Sequence, residues 1–406
     1  MPTVTRENRG ELLREFYRKS DPEKLNIAIF SDCYYPLIGG ITVRVHNQAL
    51  ALSKFANILV VTGRAGKYAD DVPYPVLRCR GIRASETQGN IALPSLDFGF
   101  KKLLLELVID AVHVHTYFGM NKAAHWLHKK TGVPVIQVSH QRLYPEYVNV
   151  VKWKFLARRL SNFSMRRMAR AQAVWTVSEN VRRFYIESGF RREMKIDPSG
   201  SDRVYPADAE ARIAAVEEKF SIPPGRIVLL CLCRMEMKQK NLDFLLRAFR
   251  LARENGLNAT LFMVGKGADE RRLAALAEEL GVASDTVFTG FADEDTATGL
   301  YLRSDLFLFP SVFDNFGLTK SEAAALGTPT LALEGTAVAE GIVDGVNGFV
   351  SARSEEAFAR RMLDALSDRE RLAEVSRNAR ETMGRSWEEL APITLNMTKQ
   401  ECKEKH

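Results

Sequence analysis

Two carboxylates, Asp314 and Glu322, stand eight positions apart in the run Pro310-Ser311-Val312-Phe313-Asp314-Asn315-Phe316-Gly317-Leu318-Thr319-Lys320-Ser321-Glu322. The run follows the apolar segment 305–309 and leads into Ala323, Ala324 and Ala325, so it reads as strand, loop and helix start. Backbone N–H groups at Phe316, Gly317 and Leu318 would then lie at a helix N-terminus, where unshared donors and the helix dipole favour an anion. Glu322 falls roughly two turns in. A carboxylate there suits sugar hydroxyls, for which it is a strong charge-assisted acceptor, and not a phosphate. The plainer alternative is a strand–loop–helix unit with two solvated acids.

The next candidates are cations. Arg234 ends the apolar run 227–233, and Lys238 and Lys240 follow, with Asn241 after Lys240. Fixed cations beside a helix N-terminus are what a nucleotide diphosphate leaving group requires. Negative charge builds on its phosphate as the sugar–oxygen bond breaks, and preorganised donors lower that barrier. Gly265-Lys266-Gly267 and Phe288-Thr289-Gly290-Phe291 close two further strands. Gly39 and Gly40 link the first strand to the first helix, where glycine lets a backbone approach a ligand. His140 follows the strand 133–138, with Tyr144 and Tyr147 close behind.

These stretches resemble the family-four retaining glycosyltransferases, which use nucleotide sugars. The run from Val138 through His140 to Tyr147 resembles their subgroup acting on diacylglycerol and related lipids. The resemblance spans about 27–350 and implies an α/β chain of GT-B fold: two doubly wound, Rossmann-like parallel-sheet domains facing across a cleft. It implies transfer of a hexose from a nucleotide diphosphate sugar, preferably UDP-linked, to a hydroxyl of a membrane lipid or lipid-linked glycan. By the same resemblance Arg234 and Lys240 stabilise the leaving diphosphate, and Glu322 holds the ribose. Asp314 with the amides of Phe316, Gly317 and Leu318 holds the sugar. Gly265 and Phe291 enclose the base, Gly39 and Gly40 approach the diphosphate, and His140 meets the donor sugar or acceptor hydroxyl. No cofactor or metal is implied beyond the nucleotide-sugar co-substrate, because the cations and the helix dipole fill the metal's role.

Two departures from the family pattern bear on these roles. The Arg-to-Lys spacing is one residue longer than usual, so Lys238 competes with Lys240, which is favoured by Asn241 after it. Asp314 stands where the family usually has Glu, one methylene longer, which leaves the donor sugar open. A nucleotide-sugar epimerase can share the fold and would form product without an acceptor; a lipid-binding protein without catalysis would leave Arg234, Lys240 and Glu322 unexplained.

Positioning these residues requires alternating elements. Segments 25–31, 56–62, 111–115, 133–138 and 173–177 are apolar and β-branched, as buried parallel strands are. Helical stretches 43–54 and 120–130 lie between them. The alternation restarts after 196–202, with strands at 227–233, 260–264, 286–289, 305–309 and 330–333 and helices at 243–254 and 269–280. The spacing predicts two domains, over 1–198 and 199–385, and a C-terminal helix over 386–406; by resemblance the first binds the acceptor, the second binds the donor, and the helix returns to the first.

The charge is asymmetric. The first 200 residues carry 31 Lys and Arg against 17 Asp and Glu, and the rest carry 26 against 33. Between Glu146 and Glu179 there is no acid, while Lys152, Lys154, Arg158, Arg159, Arg166, Arg167 and Arg170 crowd the segment. A helical wheel places Trp153, Leu156, Ala157, Leu160, Phe163 and Met168 on one face and most cations on the other. That suits a helix on an anionic membrane surface; a helix docked on the core with a solvated basic face is the alternative. Nucleic acid is disfavoured despite the basic pI, because base-stacking aromatics are missing. The opening residues lack a signal-peptide core, and five scattered cysteines fit a reducing cytosol, so a cytoplasmic protein, peripheral on the inner membrane face, is expected.

Overall fold

The computed structural model describes residues 9–37, 39–64, 68–85, 89–151 and 153–403. The chain forms two compact units, Met1–Ser199 with Trp387–His406, and Gly200–Ser386.

In the first unit the strands are β1 (Asn26–Phe30), β2 (Asn57–Gly63), β3 (Val76–Cys79), a separate hairpin of β4 (Gly81–Ser85) and β5 (Gly89–Ala92), β6 (Ala111–Val114), β7 (Val135–Ser139), β8 (Ala173–Thr176) and β9 (Lys195–Ile196). The main sheet runs β3-β2-β1-β6-β7-β8-β9 with every pair parallel. Its central strands are buried on both faces, which is why they read as unbroken apolar runs. Strand order reverses between β1 and β6. The loops after them therefore diverge and leave an opening at the carboxyl edge, where ligands of such sheets bind. His115 and His140 lie at that edge, following β6 and β7.

The second unit holds β10 (Ile227–Leu232), β11 (Ala259–Val264), β12 (Thr286–Gly290), β13 (Leu306–Phe309), β14 (Thr330–Leu333) and β15 (Phe349–Ser351). Their order is β12-β11-β10-β13-β14-β15, again all parallel. The reversal falls between β10 and β13, so the loop carrying Arg234 and Lys240 leaves beside the loop carrying Asp314. Phe249, Phe262, Phe307, Phe309 and Phe358 are fully buried around this sheet, each contributing on the order of 2 kcal/mol by leaving water.

The helix Trp387–Lys403 packs on Gly40–Leu52 in the first unit. Beneath them Arg44 and Asp197 form a buried ion pair at 2.6 Å. Asp197 also accepts hydrogen bonds from Gln48 at 2.8 Å and Thr394 at 2.7 Å. The longer strands lie within a residue or two of their expected limits. The short strands β3, β9 and β15 and the helix Leu143–Val151 were not anticipated.

Candidate active site

The loop after β13 turns into the helix Leu318–Ala325 through Gly317, whose φ of 84° is left-handed. A Cβ there would lie 3.2 Å from the Phe309 ring, so both backbone and space call for glycine. No side chain caps this helix, and its leading N–H groups remain directed at whatever occupies the loop. Lys240 reaches the loop from the other side of the strand reversal. Its Nζ donates to both Asp314 oxygens, at 2.8 and 2.9 Å, and lies 5.5 Å above the Phe309 ring. Two ties hold the loops together: Ser311 Oγ donates to the Gln239 carbonyl at 3.1 Å, and Asn241 Nδ2 to that of Pro310 at 3.4 Å. Lys238 is exposed and lies near Asp269 instead.

Arg234 is not drawn into this group. Its side chain is 69% exposed and pairs with Glu236 at 2.8 Å. Gly265 and Gly267 pack against the Arg234 loop: a Cβ at Gly265 would meet the Cys233 carbonyl at 2.0 Å, and one at Gly267 the Met235 carbonyl at 2.3 Å. Phe291 stands 76% exposed beyond β12, a ring face open for stacking.

Glu322 is mostly buried and has partners that sequence reasoning missed. Its Oε2 accepts from Tyr301 Oη at 3.1 Å and from Arg203 Nε at 3.4 Å. Arg203 in turn donates to Glu294 and to Thr298, both at 2.6 Å, and lies 5.4 Å above the Tyr301 ring. Burial raises the Glu322 carboxyl above its ordinary range, opposed mainly by the Arg203 charge. A lone arginine 119 residues upstream of its partner leaves no local pattern to find. Asp293, Glu294 and Asp295 lie on the surface: Asp293 accepts from the Thr296 N–H and caps a helix, and the other two, 76% and 84% exposed, pair with Arg203 and Arg212.

Lys320 is the second unanticipated residue. It is 3% exposed, donates to the Glu340 carbonyl at 2.7 Å and lies 5.2 Å above the Phe316 ring. Burial pushes its amine down to about 8.

In the first unit, Gly39 precedes the helix Gly40–Leu52 in extended backbone, and a Cβ on either glycine meets nothing within 4 Å. Neither is required by its own geometry. His140 is buried and bonded ring to ring with His115, Nε2 to Nδ1, at 2.8 Å. Burial, aided by the Arg44 charge, holds it well below the ordinary histidine range, so it is neutral.

The basic segment folds as the helix Lys154–Met168, but with a different inner face from the wheel. Ala157, Ser161, Ser164 and Met168 are buried, while Trp153 (74%), Phe155 (73%) and Phe163 (52%) stand exposed among the cations. The helix lies against Leu143–Val151, where Tyr147 Oη meets Ser164 Oγ at 2.8 Å, and that close approach selects small residues. Lys154, Arg158, Arg159, Arg166 and Arg170 are exposed. Arg167 is half-buried: it donates to the Tyr117 carbonyl at 2.9 Å and stacks 4.5 Å over Phe163. Lys152 lies outside the described residues.

Comparisons with known proteins agree with this architecture. Residues 213–382 match the family model described as glycosyl transferases group 1, and residues 38–202 match glycosyltransferase family 4. The alpha-monoglucosyldiacylglycerol synthase of Acholeplasma laidlawii is 23% identical over 87% of this chain and 92% of its own length. The protein of the same name from Streptococcus pneumoniae is 23% identical over 76% and 71%. A D-inositol 3-phosphate glycosyltransferase of Catenulispora acidiphila is 31% identical over 54% of this chain and 53% of its own. Among solved structures, sucrose-phosphate synthase from Thermosynechococcus elongatus superposes with a TM-score of 0.73 at 17% identity, covering 93% of this chain and 99% of that one. Anabaena HepE in complex with UDP gives 0.71 at 18% identity, covering 93% and 100%.

Proposed function

Because the chain belongs to the family-four glycosyltransferases and has their GT-B fold, we propose that it moves a hexose from a UDP-sugar to a hydroxyl of a membrane lipid or lipid-linked glycan, with retention of configuration. The observation that carries the donor half is the meeting of Lys240 and Asp314 beside the uncapped helix Leu318–Ala325. A carboxylate held in place by a cation accepts from sugar hydroxyls. In this reading the cation and the helix N–H groups offset the charge that a diphosphate gains as the sugar leaves. Arg234, exposed and paired with Glu236 at 2.8 Å, exchanges that carboxylate for the phosphate in the same reading. Fixed cations perform the neutralisation, and no metal ion is required.

The acceptor half rests on the arginine-rich face of Lys154–Met168. Exposed aromatic rings interleaved with exposed arginines are suited to the headgroup region of an anionic bilayer, and two relatives carry the name of a diacylglycerol glycolipid synthase. Among the described residues no helix is long and apolar enough to cross a membrane, so contact would be with the surface. The test is product formation from UDP-, GDP- and ADP-glucose, with diacylglycerol in anionic vesicles and without it. Product that requires both a UDP-sugar and the lipid, with unchanged anomeric configuration by NMR, is expected. Turnover of the donor to a new sugar nucleotide with no acceptor present would overturn it.

A further inference from the structure

His115 and His140 follow the paired strands β6 and β7. Their rings meet edge to edge, with centroids 4.9 Å apart and planes at 22°, and His115 Nδ1 lies 2.8 Å from His140 Nε2. Both rings are neutral, held so by burial and by the Arg44 charge. Each therefore carries one proton, and only one of the two facing nitrogens can hold it. If His115 Nδ1 holds it, His115 Nε2 bears a lone pair and His140 Nδ1 bears an N–H. If His140 Nε2 holds it, His115 must bury an unshared N–H at Nε2.

His115 Nε2 is buried and has no partner among the described residues. Either arrangement leaves one N–H without a protein partner: on His140, 7% exposed, it can reach solvent or a ligand, whereas on His115, 0% exposed, it would be orphaned. The neighbouring His113 gives an independent case by proton counting. Thr398 Oγ1 spends its only proton on the Thr394 carbonyl at 2.8 Å. It must therefore accept from His113 Nε2–H at 3.0 Å, and the unpartnered His113 Nδ1 is a lone pair.

We infer that His115 is a positioning residue that fixes the tautomer of His140, so that His140 meets its ligand as an N–H donor at Nδ1. His140 is held through Nε2, and the ring keeps 7% of its surface exposed at the carboxyl edge of the sheet. A donor there recognises a hydroxyl or phosphate oxygen. It does not take the proton from an acceptor hydroxyl, so His140 is not the base of the reaction. Which oxygen it meets rests on the proposed glycosyl transfer; the tautomer does not.

The test uses the full chain labelled with ¹⁵N at histidine, with His140→Asn identifying the His140 signals. A proton-bearing Nδ1 and a bare Nε2 are expected on His140. His115→Phe keeps a planar ring without a donor, and should lose that preference and lower kcat on the order of tenfold. His115→Asn keeps an N–H near the Nδ1 position and should preserve both; His115→Gln, with its amide one bond further out, should not. If His115→Phe fails to fold, the Asn and Gln variants carry the comparison. A bare His140 Nδ1 in the wild type, or an unaltered His140 signal in folded His115→Phe or His115→Gln, overturns the inference. Because the spectrum needs no turnover, a chain inactive on UDP-sugars would count against the proposed function alone.

Discussion

Lys240 and Asp314, 74 residues apart in sequence, are joined by two hydrogen bonds of 2.8 and 2.9 Å across the point where strand order reverses. Each is about one-sixth exposed, so the pair is shielded yet reachable. Lys240→Ala is expected to lower kcat and kcat/KM together, by about 100- to 1,000-fold, with a smaller change in donor KM. Lys238→Ala should stay close to wild type. Steady-state kinetics with UDP-glucose decide between them; equal losses would remove the special place of Lys240.

Arg203 orients Glu322 and is itself held by Glu294 and Thr298. If Glu322 holds the ribose, Arg203→Ala should weaken UDP binding by several-fold while Glu322→Ala weakens it more. Calorimetric titration with UDP reads both. Unchanged affinity in Glu322→Ala would remove the ribose role.

Lys320 gives a pH-dependent stability. Its amine is displaced from 10.5 to about 8 by burial, worth roughly 3 kcal/mol. A depressed lysine binds its proton more tightly in the unfolded chain, so its cost is largest below pH 8 and fades as pH rises towards 10.5. Lys320→Met should therefore be most favoured over wild type at pH 7, and the gap should close by pH 10. Urea titrations at both values measure it; a gap that does not change with pH would contradict the buried amine.

Charge reversal at Arg158, Arg159 and Arg166 should release the protein from anionic vesicles, at about 1 kcal/mol for each cation removed. Phe155→Ser should weaken the same binding in high salt, where the charges are screened. Arg167→Glu should instead lower the melting temperature, because Arg167 is tied to the Tyr117 carbonyl. Vesicle co-sedimentation at low and high salt separates these effects. Wild type that ignores anionic vesicles at low salt would point to a soluble acceptor.

Asp197→Ala leaves the Arg44 guanidinium buried and uncompensated, and should destabilise the first unit by about 3–5 kcal/mol. Differential scanning calorimetry checks it.

The parallel strands were legible because burial on both faces writes them as plain apolar runs, and the Asp314 loop because a strand that ends in a turn and a small-residue helix has few other readings. The inner face of Lys154–Met168 was not. A hydrophobic wheel assigns the large apolar residues inward, whereas the neighbouring helix Leu143–Val151 comes too close for them and takes Ala157, Ser161 and Ser164. Lys320 was hidden for a related reason: a lysine on a helix is ordinarily solvated, and only the Glu340 carbonyl and the Phe316 ring explain its place inside. Arg203 and Glu322 meet through tertiary folding alone.

The helix Trp387–Lys403 belongs to the first unit although the whole second unit precedes it. The second unit is thus an insert, and its two ends lie side by side: Ser201 pairs with Ser386, and its N–H donates to the Arg385 carbonyl at 2.9 Å. Residues 200–386 accordingly form a self-contained module whose ends need no spanning. The remainder is a split body, whose halves would have to be co-expressed or spliced from 199 to 387. Trimming the last twenty residues would therefore damage the end of the protein farthest from the cut in sequence.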